Sequence, residues 1–145
     1  MNIFEYINNG HFSEYYKKTI EENGYNGFIN LWTERWKYIF QEKYYFIEEY
    51  INDLSRREII NNVIRECEIE NKEIFIEKIN EIDKIFEVKT IELKKCITEY
   101  SGWANDKIFS KLFSRKMIKN EYNWFYFRIP PERIKDWGIA EIDLK

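Results

Sequence analysis

Glycine and proline are scarce in this chain: among 145 residues there are five glycines, at 10, 24, 27, 102 and 138, and two prolines, at 130 and 131. Residues 28–101 contain neither. Hairpin-built proteins rarely run so far without glycine, because tight β-turns want a positive φ that glycine adopts without strain. The scarcity argues for successive helices. Histidine is scarcer still, with His11 alone. One histidine excludes multi-histidine zinc sites and the paired Glu-x-x-His motifs of di-metal helical bundles. It also leaves acid–base catalysis near neutral pH with little beyond shifted carboxylates. No glycine-rich phosphate loop and no nucleophile elbow is present. Carboxylate pairs such as Glu73 and Glu77 are what a chain with 26 acids produces by chance. The chain is therefore expected to be no enzyme and to need no metal or cofactor.

Long apolar runs are also missing. None approaches the roughly 20 residues that span a bilayer, so no membrane segment is expected. The opening stretch "MNIFEYINNGHFSEYY" lacks the basic segment and apolar core of a secretory signal, which points to the cytoplasm. Cys67 and Cys96 are the only cysteines and form no CxxC, so they read as buried thiols rather than a disulfide framework. No internal repeat and no linker interrupts the chain. Its length fits a single domain, 1–145, that buries roughly 68–70% of its unfolded surface.

What the chain has in abundance is aromatic rings: 11 Tyr, 11 Phe and 5 Trp, 19% of the sequence. Some fill a small core, since each ring buries a large area. Others are candidates for interface anchors. The apolar spacing predicts helices. Ser13 caps one that ends at Asn23–Gly24, and a second begins near Asn26 with Phe28, Leu31, Trp32, Ile39 and Phe40 on one stripe. A third carries Ile47, Tyr50, Ile51 and Leu54. Ser55 and Glu58 form a capping-box pattern that starts a fourth. Asn71 begins a fifth, whose core stripe is Phe75, Ile79, Ile82 and Phe86, and Leu93, Cys96, Ile97 and Tyr100 continue in the same manner. "GYNG" at 24–27 matches an RNA-binding GxxG loop in form only, and two glutamates precede it, so it reads as an interhelical turn. "YSGWAND" breaks the pattern and "KIFSKLFSRKMIK", 107–119, is one more short helix. "YNWFYFRI", 122–129, then alternates as a strand, with Tyr122, Trp124, Tyr126 and Arg128 on one face and Phe125, Phe127 and Ile129 on the other. "PP" stops it, and "WGIAEIDLK" offers a second short strand. The expected fold is mainly α: a multi-helix domain, helical over 1–120, with a small C-terminal β element in an aromatic tail over 121–145.

Charge is distributed unevenly. Residues 1–100 hold 20 acids and 14 bases, whereas residues 101–145 hold 6 acids and 9 bases. On the helix after Asn71, Glu73, Glu77 and Glu81 lie opposite the core stripe, and Glu70, if helical, joins them in a row. Like charges four apart repel by a few tenths of a kcal/mol. Such a row is either a solvated face or a surface complementary to a basic protein. Lys107, Lys111, Arg115 and Lys119 form the opposing row, able to meet phosphates or the acidic part of the same protein. A pI near 5.4 argues against nucleic acid.

"EIENKEIFIEKINEIDKIFE" and the tail "NWFYFRIPPERIKDWGIAEIDLK", in a short, acidic, Ile/Asn/Lys/Glu-rich chain, resemble the bacterial immunity proteins of polymorphic and contact-dependent inhibition toxins. That resemblance implies stoichiometric inhibition of a cognate toxin domain, often a nuclease with a basic cleft, by occlusion of its active site. The candidate partner-binding residues are Glu70, Glu73, Glu77, Glu81, Tyr122, Trp124 and Tyr126. Two other readings stay open. One is a nucleic-acid-associated regulator that stacks bases on Tyr122, Trp124 and Tyr126 beside the basic helix. The other is a scaffold subunit that docks by β-addition along the aromatic strand.

Overall fold

The computed structural model describes residues 1–102 and 118–145. The expected basic helix at 107–119 lies outside them except for Ile118 and Lys119. Six α-helices occupy the first 89 positions: α1 Ile3–Asn9, α2 Glu14–Asn23, α3 Asn26–Thr33, α4 Trp36–Gln41, α5 Ile47–Glu66 and α6 Lys72–Lys89. Two-residue strands follow, β1 Ile91–Glu92 and β2 Arg128–Ile129, paired antiparallel with Ile91 opposite Ile129 and Glu92 opposite Arg128. The chain is mainly α with a small β element.

Where local chemistry is strong, the helices begin and end as the residues dictate. The Ser13 hydroxyl accepts from the Tyr16 N–H, and Gly24, at φ +64°, closes α2 with its N–H on the Ile20 carbonyl. Gly27 lets α3 cross close to α2, since a Cβ there would stand 2.9 Å from Ile20 Cδ1. "GYNG" is thus the interhelical turn. Asn2 caps α1, a helix that the apolar spacing alone did not reveal. Asn71 starts α6 from the left-handed region, φ 55°, which asparagine tolerates. It supplies its carbonyl to Ile74 and Phe75 rather than its side chain.

Several expectations need correction. The helix foreseen from Asn26 past Phe40 is two helices, because Glu34 and Arg35 at its middle serve other elements. Glu34 accepts from Tyr15 and from Arg56 of α5, and Arg35 donates to the buried Asp53. Conversely, Ser55 starts no helix. Its hydroxyl donates back to the Asn52 carbonyl inside a continuous α5, an alternative use of a short polar side chain. Leu93–Tyr100 does not continue α6: it follows β1 and holds a bridging residue, Leu93, and a 3₁₀ turn at Ile97–Tyr100. Finally, "YNWFYFRI" is no strand until Arg128, for Trp124–Phe127 is a 3₁₀ turn. Phe125, Tyr126 and Phe127 are all buried in that turn, whereas a strand's alternation would leave Tyr126 on the face opposite its two neighbours. "WGIAEIDLK" contributes one bridge, Leu144 to Leu93, and not a strand.

One buried apolar cluster runs from Ile3 and Ile7 through Phe28, Trp32, Leu54, Phe75 and Phe86 to Phe125, Ile129 and Ile139. Ile82, expected in that core, is only partly buried at its edge. Cys67 and Cys96 are both buried. Long-range polar bonds fasten the tail to the helices. Tyr50 donates to the Arg128 carbonyl at 2.7 Å and Tyr126 to Glu58 at 2.7 Å. Arg128 reaches Thr90 and the Glu87 carbonyl at the end of α6. Arg133, itself buried, donates to the carbonyls of Tyr38, Ile39 and Glu42, closing the C-terminal end of α4.

Candidate functional site

The outer face of α6 is the surface the sequence singled out, and its residues lie in the open. Glu73, Glu77 and Glu81 are exposed on it, whereas Glu70, expected to join them, is exposed on the turn before α6, cut off from the helical row by Asn71 at φ 55°. None of the four forms an ion pair among the described residues. Phe75, Ile79 and Phe86 turn the opposite way, into the core. The face also carries something the acidic pattern concealed. At about 100° per residue, Ile74, Ile85 and Val88 fall on the same side as Glu77 and Glu81. They are 50%, 47% and 88% exposed. Three aliphatic side chains left in water along an acidic row form a mixed surface, of the kind where apolar anchors sit inside a charged rim. The signal was in the sequence: α6 has more isoleucine and valine than one core stripe can use.

The aromatic candidates divide. Tyr122 is exposed. Trp124 is half-buried with its ring edge-on to Phe86 at 6.1 Å. Tyr126 is buried at 1% exposure with its hydroxyl on Glu58, which removes it from any contact surface. No row of stacked rings faces solvent here, and β2 is only two residues long and already paired. The most exposed rings among the described residues are instead Tyr44 and Phe46, on the link between α4 and α5. Tyr45 between them points inward to Asp53. Trp137 holds that link through an Nε1–H bond of 3.1 Å to the Tyr45 carbonyl. An extended backbone alternates its side chains, so "YYF" displays its first and third rings once the second is anchored.

Charged groups elsewhere are occupied structurally. Asp53 receives Arg35 at 2.7 Å and Tyr45 at 2.5 Å. Arg57 forks onto Asp83 of α6 at 2.9 and 2.8 Å. Lys119 donates to Glu92, and Lys145 reaches the same carboxylate at 3.2 Å. The Lys119 hydrogen bond chiefly holds the Glu92 carboxyl below its ordinary range. Among the described residues no three His, Cys, Asp or Glu side chains are placed to share a metal ion.

Burial, before all else, raises the phenol pKa of Tyr16, Tyr45, Tyr50 and Tyr126 above 10, with Asp53 adding to it at Tyr45 and Glu58 at Tyr126. Below the unfolded value near 10 all four are neutral in both states and contribute no pH dependence. Above it the unfolded chain ionises and the folded chain does not. These four tyrosines should therefore leave stability unchanged up to about pH 10 and then lower it, by about 1.4 kcal/mol per pH unit for each. By then the buried thiols of Cys67 and Cys96, also raised by burial, have begun to lower it from near pH 9. Urea denaturation across that range checks this; an unchanged midpoint at high pH would mean the hydroxyls are open to water.

No protein family, characterised protein or solved structure matches this chain. No helix among the described residues is long and apolar enough to cross a membrane.

Proposed function

We propose that the chain is a non-catalytic binding protein of the bacterial immunity type, acting in the cytoplasm to neutralise a cognate toxin domain by covering its active site. The observation that supports this reading most is the outer face of α6, where Glu73, Glu77 and Glu81 stand exposed beside Ile74, Ile85 and Val88, with Glu70 exposed on the turn before it. A nuclease-like domain presents a basic cleft shaped for phosphates. Carboxylates in a row on a rigid helix can occupy those positions, and the aliphatic side chains supply the desolvated contact that charge alone lacks. The core face of α6 fixes the helix, so the carboxylates need little ordering on binding.

Co-expression with the toxin encoded beside it tests the proposal. Changing Glu73, Glu77 and Glu81 together to lysine should leave the fold intact, at under about 0.5 kcal/mol per exposed site. It should slow association and abolish protection. Ile85→Ser with Val88→Ser should act differently, speeding dissociation with little change in association rate. Full protection by a folded triple-lysine variant would reduce the row to a solvated face, and Tyr44 and Phe46 would then be the better contact surface.

A further inference from the structure

A second feature of α6 lies about a third of a turn around the helix from the acidic row. Here α6 faces α5. Arg57 and Asp83 bridge them at one end, and between them opens a groove of about 570 Å³. That volume is within the roughly 300–1,000 Å³ of small-molecule sites. Ile64 of α5 with Ile76 and Ile79 of α6 give it an apolar floor. At the bridge end the lining is neutral and polar: Asn61 and Asn80 stand beside Arg57, whose charge Asp83 compensates.

The far end is different. Arg65 and Lys72 both line the groove and both are exposed. Lys72 has no ion-pair or hydrogen-bond partner among the described residues, and Arg65 holds only Asn62 and, at 4.0 Å, Glu66. Glu121 is the one acid in the lining. It stands on the turn that Asn61 fixes through the Tyr122 carbonyl, 2.8 Å away. From Arg57 to Arg65 the groove follows eight residues of α5, about 12 Å of helix. An apolar trough closed by neutral amides at one end and opened by two cations at the other is chemically polar along its length.

We propose that this groove binds a small molecule with an apolar body and an anionic head, the head at Arg65 and Lys72 and the body over Ile64, Ile76 and Ile79. The acidic face serves a protein. This groove serves a ligand of opposite charge on another side of the same helix, and the two sites do not depend on each other.

Decanoate is the probe. Calorimetric titration of the full chain should give one saturable site with a dissociation constant below about 1 mM, and decyltrimethylammonium should bind about tenfold more weakly or not at all. Arg65→Glu with Lys72→Glu, both at exposed positions, should weaken decanoate at least about tenfold without moving the denaturation midpoint. Ile76→Trp should fill the trough and remove binding, with circular dichroism confirming the fold. The proposal is overturned if decanoate does not saturate, if both head groups bind alike, or if the double charge reversal leaves affinity unchanged. Because the probe is no protein, none of these outcomes bears on the toxin reading.

Discussion

Replacing Arg133 by methionine is expected to cost about 3–5 kcal/mol of folding stability, more than any change on the acidic face. The side chain is buried and donates four bonds of 2.6–3.2 Å to three carbonyls, those of Tyr38, Ile39 and Glu42. These belong to the last turn of α4 and the residue after it, where helix carbonyls run short of partners, although that of Tyr38 also accepts from the Glu42 N–H at 3.4 Å. The guanidinium is also the charge that the negative end of a helix favours. Its plane lies over Tyr45 at 5.1 Å and near Trp137 at 6.0 Å. Methionine keeps most of the stem and loses every bond, leaving the carbonyls of Ile39 and Glu42 without the guanidinium at roughly 1–3 kcal/mol each. Lysine should recover less than half of the loss, because one ammonium cannot span three carbonyls as a planar fork does. Urea unfolding at constant slope gives the number. A cost below about 1 kcal/mol would show that water replaces the guanidinium there.

Phe86→Ala should cost about 3–5 kcal/mol as well, for a different reason. The ring is 1% exposed and packs among Trp32 at 5.4 Å, Phe40 at 6.0 Å and Trp36 and Trp124 at 6.1 Å. Four stiff rings drawn from α3, α4 and the tail cannot collapse into the space a phenyl leaves, so the cavity stays and its cost is paid in full. Phe86→Leu keeps most of the volume and should cost under about 1.5 kcal/mol. A loss below about 2 kcal/mol for alanine would mean that the tail repacks and Trp124 moves into the gap. Phe75→Ala belongs to the same class, its ring edge-on to Tyr25 at 5.3 Å.

The acidic row and the core stripe of α6 were both legible in the sequence, because an 18-residue helix imposes its period on whatever residues it carries. Tyr126 was misassigned for the converse reason. Between a strand and a 3₁₀ turn, "NWFYF" has no strong local preference, and the bond from Tyr126 to Glu58, 68 positions away, is invisible to any window. Tyr44 and Phe46 escaped notice because three aromatic residues in a row look like core until Asp53 shows which one is turned inward.

The sequence by itself determined that the chain is built of helices, where α2 and α6 begin, which side of α6 faces the core, and that no multi-histidine metal site is available. Those properties follow from short-range causes: glycine scarcity, caps and a 3.6-residue period. Only the tertiary structure decided that α3 and α4 are separate, that α5 runs unbroken through Ser55, that the aromatic tail turns inward, and that a groove remains between α5 and α6. The separation of α3 from α4, the inward tail and the α5–α6 groove are tied to bonds between distant residues, Arg35 with Asp53, Tyr126 with Glu58 and Arg57 with Asp83, and such pairings outweigh local preferences of a few tenths of a kcal/mol per residue.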